Sequence, residues 1–343
     1  MTIRQTIALC SALLAGLTTW SPAMGSENVE EFYKSKEIRL IIGEGPGGGY
    51  DTYARLLGNH MGKYIAGNPK IVAQNMPGAG TLRATNHVYA VANKDGTVLA
   101  TAQRFVFIMP LLDLAGAQFD ATKFSYVGSM SEDVGTCIAW REAGFQSIED
   151  LKQRQFTIGT GGAGSQLTTF AAALSNTLGV KLKVIKGYQS GHDMNLAMER
   201  REVDGRCGVS YSSIKTLSPD WLEKDKIIVL LQLGIEPQPA LPKVPVLVDL
   251  VKDERDKRAL ELLMTPTKIA RPFFGPPAIP GDRLAALRKA FDQTMEDEAF
   301  RNDARSRGVE ILPLGGQRME ELVKYLHAMP PAAVARAKEL VAE

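Results

Sequence analysis

The sequence predicts an α/β protein of two lobes, each with a mostly parallel sheet flanked by helices. Three observations lead there. Short apolar runs rich in branched residues alternate with segments whose apolar residues recur at helical spacing, the pattern of parallel strands with covering helices. The chain has 343 residues, 45% of them hydrophobic, which suggests two domains rather than one. Two successive strand–turn–helix units also carry glycine-rich loops, "GEGPGGGYD" and "NMPGAGT".

The elements follow in chain order. Arg4 is the sole charged residue before Glu27, and it precedes the apolar run "TIALCSALLAGL". Ala23 and Gly25 are small residues where a signal peptidase reads, so residues 1–25 are expected to be a cleaved export signal. The apolar run falls short of the roughly 20 residues needed to span a bilayer. Removing Arg4 takes the formal net charge from +2 to +1. No basic stripe suggests nucleic acid.

"EIRLII" reads as a buried strand, and "TYARLLGNHMGKYI" as an amphipathic helix. The turn between them must be sharp. Its glycines allow left-handed backbone and leave N–H groups uncovered at a helix N-terminus, where the dipole favours an anion. The loop is therefore an anion cradle, with Asp51 as the expected N-cap of the helix. Gly43, Gly45 and Gly48 also spell G-x-G-x-x-G. A dinucleotide site would need an acidic residue at the end of the next strand, but "KIVAQN" ends in Asn75, and Pro46 interrupts the motif. An exported oxidoreductase using the Gly43–Gly48 loop is the alternative reading. The second loop repeats the design, with Thr81 able to cap the following helix. Two neighbouring helix ends would then face one sheet edge, beyond the carboxyl ends of the strands.

These motifs resemble a known family. "PGGGYDTYARLL", "NMPGAG", "KDGTVLAT", "FSYVGSM", "GYQSGHDMNLAMERREVD" and "FFGPPAIPGDRLAALRKAF" are similar to segments of the solute-binding proteins of tripartite tricarboxylate transporters, the Bug family. The resemblance implies a type II periplasmic binding fold with a ligand cleft between the lobes, and no enzymatic activity. It assigns one ligand carboxylate to the two glycine loops, Gly47, Gly48 and Gly49 with Asp51, and Asn75, Gly78, Ala79, Gly80 and Thr81. Gly164 and Ser165 would meet the distal end of the ligand, and Tyr188, Gln189, Ser190 and Gly191 would line the cleft. It implies a periplasmic location, an organic carboxylate ligand and membrane transporter subunits as partners. A monomer without cofactor or metal is expected.

Two departures bear on the ligand. Glu44 stands where the family commonly has an aromatic residue. Ala197 stands where many relatives have Asp, which makes amine-bearing ligands less favoured and a dicarboxylate or aromatic carboxylate the better expectation. Arg104, after the third strand, is expected to reach the cleft and grip a carboxylate, or else to pair on the surface.

The rest of the chain fits two lobes, with residues 26–128 and 234–343 forming the first and 129–233 the second. In the second, "GTCIAW", "QFTIGT", "KLKVIKGY", "GRCGVS" and "IIVLLQL" are strands, with helices "LTTFAAALSNTLG" and "HDMNLAMERRE" between them. "EPQPALPKVPVL" is too proline-rich for a helix or central strand and is expected to return the chain to the first lobe. The last three helices are amphipathic. In the implied fold, "GTCIAW" and "GRCGVS" are antiparallel neighbours. Cys137 and Cys207 are then either a disulfide or two small buried hydrophobes. His60, His87, His192 and His327 lack metal spacing, and "GAGS" at Ser165 is not a nucleophile elbow.

Overall fold

The computed structural model describes residues 28–162 and 165–342. The expected export signal and Gly164 lie outside them. The described chain folds around two sheets. The first contains β1 (Glu37–Ile42), β2 (Lys70–Asn75), β3 (Val98–Thr101) and β4 (Ser125–Ser129). The second contains β5 (Gly135–Trp140), β6 (Phe156–Gly159), β7 (Leu182–Ile185), β8 (Gly205–Ser210) and β9 (Ile227–Leu233). β10 (Pro272–Gly275) and β11 (Leu314–Gly315) then rejoin the first sheet. The strand orders are β11-β4-β10-β3-β1-β2 and β7-β6-β8-β5-β9.

Both sheets are mixed, with four strands of each running in one direction. β2, β1 and β3 are parallel neighbours, as are β7, β6 and β8. β10 runs antiparallel between β3 and β4, and β5 runs antiparallel between β8 and β9. The inversion arises where the chain passes between sheets: an incoming strand inserts beside one already laid down, without a covering helix to reverse it. β3, β4 and β8 are buried along their whole length, which accounts for their apolar or small residues on both faces.

Two segments cross between the sheets side by side. Met130 N donates to Arg271 O at 3.0 Å, Ala270 N to Ser131 O at 2.9 Å, and Asp133 N to Thr267 O at 3.1 Å. The return is thus at residues 265–271, not at the proline-rich stretch. That stretch stays on β9, because the buried Gln232 side chain donates to Leu241 O (3.0 Å) and Val244 O (2.7 Å) and accepts from Gln238 N (2.7 Å). The C-terminal helix Pro331–Val341 also returns to the second sheet, lying against helices Glu254–Met264 and Gln166–Leu178, where Asn176 Nδ2 donates to Leu340 O. Segments on both sides of residue 234 therefore cover the second sheet.

Cys137 and Cys207 face each other across the β5–β8 pair and are joined in a disulfide.

Candidate functional site

The loops after β1, β2 and β3 face those after β6, β7 and β8, at the carboxyl ends of the parallel strands. Between them lie two adjoining chambers that share Glu44, Gln103, Gly191 and Met194.

The first chamber is built from backbone. Gly78, Ala79, Gly80 and Thr81 line one side, and Ser165, Tyr188, Gln189, Ser190 and Gly191 the other. These are nine of the residues expected from sequence. The loop Gly78–Thr81 holds consecutive left-handed conformations, with φ of 48° at Ala79, 60° at Gly80 and 76° at Thr81. Two helices start against this chamber. Ser165 caps Gln166–Leu178, accepting from Leu167 N at 3.3 Å, and Ser190 caps Gly191–Glu199, accepting from Asp193 N at 3.2 Å. Their hydroxyls are thus partly committed to the backbone. Thr81 sits at the N-cap of Leu82–Ala90, but its hydroxyl accepts from Gln103 N (3.3 Å) instead of capping.

The first glycine loop departs from expectation. The helix Gly49–Met61 begins three residues early, with Gly48 as its N-cap, so Asp51 lies in its first turn. From there the Asp51 carboxylate reaches back and accepts from Gly47 N at 3.0 Å. It also accepts from Arg55 Nε (3.0 Å) and Asn75 Nδ2 (2.8 Å). Burial pushes the Asp51 carboxyl up, but the bonds from Arg55, Asn75 and Gly47 outweigh this and hold it below its usual value. The chain's own carboxylate therefore fills this cradle. Gly47, Gly48, Asp51 and Asn75 line neither chamber, and the bonds of Asp51 and Asn75 hold the loop in shape. Gly49 does line the second chamber, and a Cβ there would lie 2.5 Å from Ser213 Oγ.

The second chamber is built from side chains, most of them not anticipated. Glu44, Tyr50, Gln103, Gln166, Asn195, Arg206, Ser213 and Arg271 line it. Arg271 is 1% exposed and is held mainly through its two terminal nitrogens, its Nε being buried without a partner. Its guanidinium donates to Ser213 Oγ (2.7 Å) and Ser212 Oγ (3.1 Å), lies 3.7 Å from Asp133, and stacks 4.8 Å from the ring centres of both Tyr50 and Tyr53. Among the described residues, Arg206 differs in having no such acid beside it. It is 5% exposed, and Nη1 donates to Asn195 Oδ1 (2.5 Å) and Gly191 O (3.2 Å). Its Nε is buried without a partner, and it makes no ion pair among the described residues. Burial pushes its pKa down to about 10, against the field of Glu44. Gln166 Nε2, on the same chamber, is likewise buried without a partner.

Arg104 lines neither chamber. The short 3-10 turn Arg104–Ile108 carries its side chain under the site, 1% exposed, toward Asp133 O (3.4 Å) and Ser210 Oγ (3.3 Å). Gln103, its neighbour, is the residue that reaches the site. Its amide donates to Glu44 Oε1 (3.0 Å) and accepts from Gln166 N (3.3 Å), tying loops of the first sheet to a helix of the second.

This architecture is that of the two-lobed type II periplasmic binding proteins. The periplasmic binding protein BugD aligns over 89% of this chain and 98% of its own, with TM-score 0.69 and 18% identity. MatC from Rhodopseudomonas palustris, whose structure holds malate, aligns over 90% and 99%, with TM-score 0.68 and 18% identity. An R. palustris protein, Rpa4515, whose structure holds adipate, aligns over 89% and 96%, with TM-score 0.66 and 17% identity. No family model and no curated protein matches the sequence.

Proposed function

We propose that this chain is a periplasmic solute-binding protein of the Bug type, which captures a small organic carboxylate between two lobes and delivers it to a tripartite tricarboxylate-type membrane transporter. In this reading the lobes are the two sheets with their helices, the N-terminal segment directs export, and the protein is not an enzyme.

One observation carries the proposal. Among the described residues, three buried donors without partners belong to residues lining one chamber: Arg271 Nε, whose guanidinium already has Asp133 beside it, and Arg206 Nε and Gln166 Nε2, which have no such acid. A buried polar group without a partner is costly, and a buried unpaired guanidinium more so. A carboxylate supplies acceptors for Arg206 and Gln166 and the missing negative charge. The bound malate and adipate of two structures with this fold support the same class of ligand. The glycine-loop chamber then holds the remainder of the ligand against neutral amides. Closure follows if the ligand binds the joined lobes better than the separated ones. The dinucleotide alternative loses its footing because Asp51 already occupies the Gly47 N–H that a pyrophosphate would need.

A thermal-shift screen of the full chain against malate, succinate, adipate and aromatic carboxylates tests this, backed by mass spectrometry of ligand retained through purification. Stabilisation by carboxylates supports it. Stabilisation only by sugars, or by NAD or FAD, overturns it.

A further inference from the structure

The second chamber carries a part-buried acid as well as a buried cation. Glu44 and Arg206 both line it, yet neither forms an ion pair among the described residues. Each is met by neutral groups instead. Glu44 Oε1 accepts from Gln103, and Oε2 has no hydrogen-bond partner among the described residues; Arg206 is held by Asn195 and by Gly191 O. The remaining charge on this chamber, Arg271, is engaged with Asp133, two serines and two tyrosine rings. The chamber is therefore polarised, negative at Glu44 and positive at Arg206.

We propose that the ligand is zwitterionic: a carboxylate that also bears an ammonium group, with the carboxylate at Arg206 and Gln166 and the ammonium at Glu44 Oε2. This rests on the carboxylate reading of the same site and narrows it. A plain carboxylate satisfies Arg206 but brings a second negative charge toward Glu44 in a site shielded from water, where like charges repel strongly. A zwitterion lies along the field already present and satisfies both ends. Burial pushes the Glu44 carboxyl above its usual value despite the Gln103 bond and the fields of Arg271 and Arg206, and a bound ammonium would offset that cost.

Ala197 does not argue against this. It is 2% exposed, sits in an apolar cluster with Met198, Val203 and Ile214, and lines neither chamber. The acidic group that an amine wants comes from the first sheet, through Glu44, and not from the helix that carries Ala197.

The test is calorimetry on the full chain, freed of retained ligand, with matched acids differing only by the ammonium: succinate and aspartate, glutarate and glutamate, propionate and alanine, 3-phenylpropionate and phenylalanine. In at least one pair the amino acid is expected to bind about tenfold tighter or more, the scale of a hydrogen bond to a charged group. Glu44→Gln should abolish that preference while leaving the plain acid bound as before or more tightly. Glu44→Asp, which keeps the charge, should retain part of the preference. The proposal is overturned if the plain acid binds as well as or better than its amino counterpart in every pair, or if Glu44→Gln keeps the preference; carboxylate binding then still stands. The wild-type pairs decide even if a variant fails to fold. If no member of any pair binds, the carboxylate reading falls and this proposal falls with it.

Discussion

The two chambers share a wall but are made of different material. One is walled by glycine loops and helix starts, with serines capping the helices. The other is walled by charged and amide side chains from β8, β10's approach, the loops after β1 and β3, and two helices of the second sheet. A backbone chamber is neutral, so it tolerates many ligand ends. A side-chain chamber holds charges whose burial is costly unless they are matched, so it selects. Within it the contrast repeats between two arginines. Arg271 is matched by the protein itself, and Arg206 awaits a match.

The contrast between the arginines gives the largest expected effect. Arg271→Leu should cost about 3–5 kcal/mol of stability, because it strands Asp133 in the interior; urea denaturation measures this. Arg206→Met should do the reverse. Stability should hold or rise, since an unpaired buried charge is removed, while ligand affinity falls by about 2–5 kcal/mol, or roughly thirtyfold and more. Calorimetry and denaturation on the same sample separate the two effects. If Arg206→Met unfolds the protein, the contrast is wrong.

Asp51→Ala probes the loop that fills its own cradle. It should lose about 1–3 kcal/mol of stability by leaving the Gly47 N–H and Asn75 without their acceptor. Because the folded Asp51 carboxyl lies below its unfolded value, its contribution is present above the ordinary carboxylate range and disappears as pH falls through the lowered value. The stability gap between wild type and variant should therefore hold at neutral pH and close only below about pH 4. A gap that closes near neutrality would assign the effect to another group. The smallest effect is expected at Arg104. Arg104→Met should change ligand affinity by less than about 1 kcal/mol, because the side chain lies beneath the site and only its neighbour Gln103 enters it. A large loss of affinity would return Arg104 to the ligand.

The strands and helices were legible because periodicity is local, and so was the glycine-loop chamber, whose residues come in short contiguous motifs. The second chamber was not. Arg206 sits in "GRCGVS" and Arg271 precedes "PFFG"; nothing in their spacing relates them to Glu44 or Gln166. They converge because β10 inserts between β3 and β4, an order that follows from the chain's return across the sheets. Arg104, expected at the cleft, lies in a 3-10 turn that turns its side chain beneath both chambers, which its place after a strand does not reveal. An arginine inside a fully buried strand is nonetheless a signal in itself, and "GRCGVS" carries it. Asp51 misled for a different reason: an acid beside a glycine loop can cap, bind or brace, and only the bond to Gly47 N decides among them.

The bridge between Cys137 and Cys207 bears on how this protein must be made. It clamps β5 to β8, the strand that carries Arg206. Thiols stay reduced in the cytosol and pair in oxidising compartments. Material accumulated in a cell's interior and material secreted from it would share every residue and differ by a pair of hydrogens, and only the secreted form would present the arginine on a cross-linked sheet.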